Sequence, residues 1–385
     1  MIDFNYLIVG GGMTAASAVI GIRNQDSQGT IGLVSSEKHA PYNRPPLTKG
    51  LWKGKPVEKI FRPLADKGVD VILDQRITSI DPQKHTASSD SGEVYSYAKL
   101  LLATGGSPIR LPFAAEEILY FRTLEDYENM RQWTGSGVKF GVIGGGFIGS
   151  EIAAALRMNQ QEVVMVFPEL GIGARMFPAD LSQFINDYYR QKGVQVLSGQ
   201  LISGVERQGE QIGLHTKDGD TIYVDHVIAG VGIKPDIQLA KASGIQEDDG
   251  ILVDEQLRTN QPDIFAAGDV ARFWNPHLQR HIRVEHEDNA NTMGVMAGEN
   301  MAGKGSQYHH LPFFYSDMFE LGYEAVGDLN SNLDTDAQWI EPFQKGVVYY
   351  RQDGIVRGVL LWNVWGKVDQ ARDLIGKPGR LEGVQ

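Results

Sequence analysis

The chain has 385 residues, a net charge of −12 at pH 7, 42% hydrophobic and 22% charged residues, and no cysteine. That length suits two or three domains, each with its own core. The acidic balance gives no support to a role on nucleic acid or an anionic membrane. Without cysteine there is no disulfide, no thiolate or iron–sulfur ligand and no redox dithiol, so electron chemistry must come from bound cofactors. No metal site is expected. No apolar run approaches the roughly 18 residues of a membrane helix. Met1 stands close to the first strand, leaving no room for a signal peptide, so a cytoplasmic protein is the expectation.

The apolar run Tyr6–Val9 predicts a buried parallel strand. It breaks into Gly10-Gly11-Gly12 and leads into an Ala-rich helix from about Met13 to Arg23. The spacing Gly10-x-Gly12-x-x-Ala15 fits the dinucleotide fingerprint: a tight turn, a close approach of backbone to pyrophosphate, and a small residue for helix–strand packing. Phosphates then sit on the unpaired N–H groups at the positive end of the helix. Thr30–Val34 predicts the second strand, ending in Ser35-Ser36-Glu37. Some 20 residues past the fingerprint an acid normally accepts ribose hydroxyls. Ser36 occupies the place where a carboxylate is expected, and Glu37 reads equally as a late ribose acceptor or a solvated loop charge.

In Pro41-Tyr42-Asn43-Arg44-Pro45-Pro46-Leu47-Thr48-Lys49, three prolines stiffen the loop and hold Arg44 and Lys49 on a low-entropy backbone. Two such cations make chemical sense beside a pyrophosphate. A proline-rich surface connection is the plainer reading. Short strands are predicted at Val69–Leu73 and Arg76–Ile80, with a hairpin over Thr86–Ser96. The buried strand Lys99–Ala103 ends in Thr104-Gly105-Gly106. Pro108 to Pro112 reads as a linker, and a polar helix follows through Glu125–Trp133.

From Lys139 the opening pattern repeats. Phe140–Ile143 predicts a strand, and Gly144-Gly145-Gly146-Phe147-Ile148-Gly149 is a full Gly-x-Gly-x-x-Gly ahead of helix Ser150–Met158. The strand Glu162–Phe167 ends at Pro168-Glu169, where Glu169 is placed for an adenosine ribose 2′-OH, pointing to NAD rather than NADP. Arg175 offers a cation that softens that preference. Two fingerprints imply two dinucleotide sites. A helix is predicted at Pro178–Lys192, with strands near Val194–Leu197, Ile212–Thr216 and Tyr223–Ala229. The unit closes at Gly230-Val231-Gly232. Asp263–Asp269 is again a buried strand with a Gly-Asp end, and a helix over Asn289–Met301 follows the polar stretch Arg283–Asp288. From about Gly305 the character changes: Val347–Tyr350 and Ile355–Leu361 flank a hairpin turn at Gln352-Asp353-Gly354. This tail shows no catalytic motif and reads as an interface or a cap.

These segments resemble the two-dinucleotide flavoprotein reductases over nearly the whole chain. Pro41–Lys49 is the most specific marker and resembles the branch holding oxygenase-type ferredoxin reductases and apoptosis-inducing factor. Within it, Arg283–His286, Ala297–Met301, Gly322–Gly327 and Val359–Asn363 look most like apoptosis-inducing factor. The space between Asn332 and Gly346 leaves no room for the long insertion of the mitochondrial proteins, and no targeting segment is expected.

The resemblance implies an α/β fold of two Rossmann-like dinucleotide-binding domains, the second inserted in the first, plus a C-terminal α+β domain. FAD would occupy 1–110 with 236–304, NAD 111–235, and an interface or cap 305–385. It further implies that Arg44, Lys49 and Arg122 contact FAD with Ile77 near the adenine. Thr104, Gly105, Gly268, Asp269, Glu285 and Tyr315 would line the flavin side. Lys49 and Glu151 would pair beside flavin N5, and Phe147 and His286 would flank the nicotinamide, although Phe147 reads equally as core and His286 as a loop residue. Gly144, Gly146, Ile148, Gly149 and Gly232 would hold NAD. The implied activity is hydride transfer from NADH to FAD, then electrons to an unidentified acceptor: a quinone, oxygen or a small iron–sulfur protein. Two alternatives are a ferredoxin or rubredoxin reductase and a slow-turnover redox sensor that assembles with NADH. A homodimer and a monomer both fit the sequence.

Overall fold

Strand Ile2–Val9 lies at the middle of the first sheet, with Leu7 and Ile8 wholly buried. Its neighbours are parallel: Ile31–Val34 on one side, in register Tyr6 to Ile31, and Val94–Leu102 on the other, in register Leu7 to Leu100. Val69–Ile72 extends the sheet beyond Ile31–Val34, and Ile264–Ala266 pairs in parallel with Leu100–Leu102. Strands Thr86–Ser89 and Ile77–Asp81 continue it as antiparallel additions. Runs buried on both faces are near-continuously apolar, which is why these strands were legible as buried. The helix Met13–Gln25 follows the first strand and packs on helix Glu287–Met301. A Cβ at Gly21 would lie 2.0 Å from the Val295 carbonyl oxygen, and one at Gly298 would lie 2.1 Å from that of Ala18. The small side chains of both helices therefore reflect a close helix–helix approach.

The computed structural model describes residues 1–113 and 116–383. The chain forms two units: Met1–Arg44, Pro56–Ser107 and Lys234–Phe313 in the first, Pro45–Lys55, Pro108–Ile233 and Phe314–Gln385 in the second. Lys49, read as part of the flavin unit, thus packs with the second unit. The tail from Phe314 does so too, whereas residues 305–313 stay with the first.

The second unit has a five-stranded parallel sheet ordered Val194–Ser198, Glu162–Phe167, Lys139–Ile143, His226–Ala229, Ile118–Tyr120. The antiparallel strands Ile202–Gln208, Gln211–Thr216 and Thr221–Val224 pack over it through Ile212, Leu214 and Val224. The sequence run Tyr223–Ala229 is two strands in two different sheets, not one. Asp225 breaks it: its carboxylate accepts the Lys139 backbone N–H at 2.7 Å, and its own N–H donates to the Lys139 carbonyl. The C-terminal sheet is ordered Phe313–Met318, Leu321–Gly327, Ile355–Trp362, Lys345–Gln352, Asp334–Glu341. Its hairpin turns at Asp353 and Gly354, with φ of +52° and +77°, the left-handed pair that a two-residue turn demands.

Candidate active site

In the first unit, Gly10 has a φ of +125°, and a Cβ there would lie 2.1 Å from the Ala103 carbonyl oxygen. The turn is therefore pressed against the residue that precedes Thr104-Gly105. Gly12 is the opposite case: a Cβ there meets nothing within 4 Å. It caps helix Met13–Gln25 without a side-chain hydrogen bond, and the first turn has no acid. Backbone N–H groups at a positive helix end beside open space fit a pyrophosphate. Ala15 is fully buried. Thr104 donates to the Asp236 carbonyl at 2.9 Å, and Gly105 is left-handed. A Cβ at Gly268 would lie 2.2 Å from the Thr14 hydroxyl, which seats the Gly268-Asp269 turn against the start of the same helix. Arg283 donates to the Asp269 carbonyl at 3.2 Å and also pairs with Glu285. His286 caps helix Glu287–Met301 without a side-chain cap bond.

The Glu37 carboxylate accepts from the Tyr42 hydroxyl at 2.6 Å and from Arg44, while Ser36 is exposed. Burial opposes the Arg44 charge, but Glu37 and Tyr42 outweigh it and hold the guanidinium above its ordinary range. Arg62, which no local motif marks, staples this loop. It donates to Asn43 at 2.9 Å, to Ser17 at 3.0 Å and to Asn291 at 2.6 Å, tying the loop to both helices. Burial lowers its pKa, with Glu287 opposing. Ile77 lies in the core of this unit.

The second unit repeats the turn. Gly144 has a φ of +116°, and a Cβ at Gly149 would lie 2.1 Å from the Gly144 carbonyl oxygen. A Cβ at Gly146, like one at Gly12, meets nothing within 4 Å. Helix Phe147–Met158 begins without a side-chain cap or first-turn acid. Ile148 is exposed, Gly232 is left-handed, and Arg175 reaches back to Glu169 at 2.8 Å. Phe147 is half-buried and meets Phe314 edge-on, with ring centres 5.7 Å apart. Arg122 precedes a capping box in which Thr123 and Asp126 exchange hydrogen bonds, and its own backbone N–H donates to Asp126.

The Lys49 ammonium lies 2.5 Å from the Glu151 carboxylate and 5.3 Å from the centre of the Tyr315 ring. The Glu151 side chain is only 5% exposed. Two further donors reach it that sequence did not reveal: Thr48 at 2.6 Å on one oxygen and Ser316 at 2.5 Å on the other. The loop carrying Lys49 is fixed by Trp52. Its indole donates to the Leu47 carbonyl, its own carbonyl accepts from Asn159, and Arg131 lies over its ring. No helix among the described residues is long and apolar enough to cross a membrane, and no cluster of theirs is suited to a metal ion.

Residues 4–294 match the pyridine nucleotide-disulphide oxidoreductase family, and residues 297–342 and 335–377 match the C-terminal part of mitochondrion-associated apoptosis-inducing factor. The chain is 34% identical to apoptosis-inducing factor 1, mitochondrial, of Dictyostelium discoideum, covering 99% of this chain and 80% of that protein. It is also 34% identical to monodehydroascorbate reductase 3 of Arabidopsis thaliana, covering 93% and 89%. Among solved structures, the covalent putidaredoxin reductase–putidaredoxin complex aligns with a TM-score of 0.91 at 29% identity, over 98% of this chain and 94% of that one. The chain belongs to the pyridine nucleotide-disulphide oxidoreductases, in their apoptosis-inducing-factor-like and ferredoxin-reductase-like branch, and is an oxidoreductase that uses FAD and NAD(H).

Proposed function

We propose that the protein is an NADH:acceptor oxidoreductase in which Lys49, held by Glu151, supplies positive charge where negative charge develops during hydride transfer. The observation that carries this reading is the ion pair itself: a lysine and a buried carboxylate 102 residues apart, on a proline-stiffened loop and the helix of the second fingerprint. FAD supplies the hydride acceptor at N5, chemistry that no side chain of a cysteine-free chain offers. Gly10, Gly12, Thr104, Gly105, Gly268 and Asp269 would hold it, and Gly144, Gly146, Gly149 and Glu169 would hold NADH. Phe147 would exclude water beside the nicotinamide.

A fixed cation in a site shielded from water lowers the barrier to charge development by more than the same cation in bulk solvent. Lys49→Ala should slow flavin reduction by NADH about tenfold or more, a loss of roughly 1.4 kcal/mol or more. Anaerobic stopped-flow spectroscopy, with FAD content measured on the same sample, tests it. An unchanged rate refutes the role of Lys49.

The acceptor is a small iron–sulfur protein in a second reading, favoured by the likeness to a reductase solved with putidaredoxin. The NADH-reduced protein offered a ferredoxin, a quinone, oxygen and monodehydroascorbate in turn separates the acceptors by rate. Cytoplasmic residence and self-association belong to the same reading; cell fractionation and light scattering with and without NADH test them.

A further inference from the structure

The C-terminal sheet reads from sequence as an interface or cap, yet it delivers a side chain to the carboxylate that holds Lys49. We propose that Ser316 and Thr48 are positioning residues: their hydroxyls fix the Glu151 carboxylate, and through it the Lys49 ammonium. This rests on the role given above to Lys49.

Three donors converge on two oxygens. One Glu151 oxygen accepts from Lys49 and Ser316, both at 2.5 Å, and the other accepts from Thr48 at 2.6 Å. They come from two segments, the adjacent Thr48 and Lys49 at 103 and 102 residues from Glu151 and Ser316 at 165, so no local geometry brings either segment to the carboxylate. Thr48 is 5% exposed and Ser316 wholly buried. A buried carboxylate that loses a donor is left with an unsatisfied lone pair and turns to recover one. Lys49 is the only one of the three with a long flexible stem, so it follows that turn, whereas the hydroxyls cannot.

The strand bearing Ser316 is itself fixed. It runs into a turn at Phe319, which has a left-handed φ of +59°. There Glu320 accepts from the Tyr188 hydroxyl at 2.5 Å and from Lys192 at 2.6 Å, both on or next to helix Ala179–Gln191. The adjacent Tyr315 puts its ring against the Lys49 ammonium. One strand of the C-terminal sheet thus touches both members of the pair. The Tyr323 hydroxyl is buried beside Ser316, and burial, with the Glu151 charge, raises its pKa well above the ordinary value.

The test uses the FAD-loaded protein and the variants Thr48→Val, Thr48→Ser and Ser316→Ala. Thr48→Val removes the hydroxyl at nearly constant volume, and Thr48→Ser retains it. Two readouts are taken. Acetylation of Lys49 by a water-soluble succinimidyl ester, followed by peptide mass spectrometry, reports how firmly the amine is held. Stopped-flow reduction by NADH separates the limiting rate from the NADH dissociation constant.

Thr48→Val and Ser316→Ala should each raise Lys49 acetylation and lower the limiting rate by about 3- to 10-fold, with NADH affinity unchanged and Thr48→Ser close to wild type. Unchanged acetylation and limiting rate in Thr48→Val overturn the proposal even if Ser316→Ala fails to fold. Loss of NADH affinity alone also overturns it. If Lys49→Ala slows reduction while Thr48→Val does not, the role of Lys49 stands and this inference falls. If Thr48→Val loosens Lys49 but Lys49→Ala reduces normally, the positioning stands and the role of Lys49 falls.

Discussion

Arg175 donates through Nε to one carboxylate oxygen of Glu169 at 3.0 Å, and its Nη2 lies 2.8 Å from the same oxygen. Glu169 follows the strand Glu162–Phe167, where an acid accepts the free 2′-OH of an NADH ribose and repels the 2′-phosphate of NADPH. The partner cation weakens that repulsion only slightly, because the Arg175 side chain is 88% exposed and the pair is screened by solvent. Glu169→Ala should therefore lower the NADH-to-NADPH ratio of kcat/KM by about tenfold, since it removes the repulsion and frees a cation for the phosphate. Arg175→Ala should move the ratio the other way by about threefold. Steady-state kinetics with both nucleotides settle it; a Glu169→Ala ratio equal to wild type counts against the assignment.

Lys49 and Glu151 form one ion pair, so under the proposed role their losses should not add. Lys49→Ala leaves a buried carboxylate without its cation, and Glu151→Ala leaves the ammonium without its anchor. The double variant creates neither defect. Flavin reduction by NADH in the double variant should be slowed less than the product of the two single factors. Strictly multiplicative losses would mean that the two side chains contribute independently.

Much of this arrangement was legible in the sequence, and what was not has a common cause. The two glycine fingerprints, the strands entering them and the Asp353-Gly354 hairpin are set by spacing within a few residues, and local spacing is what a sequence displays. Asp225 broke one apparent strand into two because its carboxylate bonds to Lys139, 86 residues away. Thr48 and Ser316 are unremarkable hydroxyls until a fold brings them to Glu151. Arg62 likewise finds Ser17 and Asn291 only through packing. The strand Phe313–Met318 went unread because Phe-Phe-Tyr-Ser-Asp-Met lacks a clean alternation of apolar and polar residues.

His226 stacks on Trp133 with ring centres 4.5 Å apart and planes within 2° of parallel. Burial, aided by Arg207, lowers its pKa, with Asp225 opposing. A histidine whose folded pKa is depressed binds a proton more readily when unfolded. Its contribution to stability is thus complete above its unfolded value of about 6.5 and is lost as pH falls below that value and through the lower folded one. His226→Phe keeps a stacking ring and removes the titration. Urea midpoints between pH 8 and pH 5 should fall more steeply for wild type than for the variant, a pH span chosen to bracket the unfolded value of about 6.5. Parallel curves would show that the stack does not titrate with folding.

Gly10 and Gly12 are two residues apart, yet substitution at each should fail for a different reason. Alanine at Gly10 would need an L side chain at a φ of +125° with its Cβ 2.1 Å from the Ala103 carbonyl oxygen. Neither the strand nor the turn can yield without breaking the register of the central sheet, so Gly10→Ala should lose folded protein. Gly12 has a φ of −88°, which alanine adopts freely, and its Cβ would meet no protein atom within 4 Å. Gly12→Ala should fold with a melting temperature near that of the FAD-free wild type, because the new methyl enters only the space where the backbone must approach the pyrophosphate. Its FAD content after purification should fall. Gly146, with a φ of −85° and equally open space, is the matching control in the second fingerprint. Gly146→Ala should keep its FAD and raise the dissociation constant for NADH about tenfold. Absorbance at the flavin band, circular dichroism and NADH titration separate the three cases. A Gly12→Ala protein that retains full FAD with unchanged affinity would show that the first cradle does not bring its backbone against the cofactor.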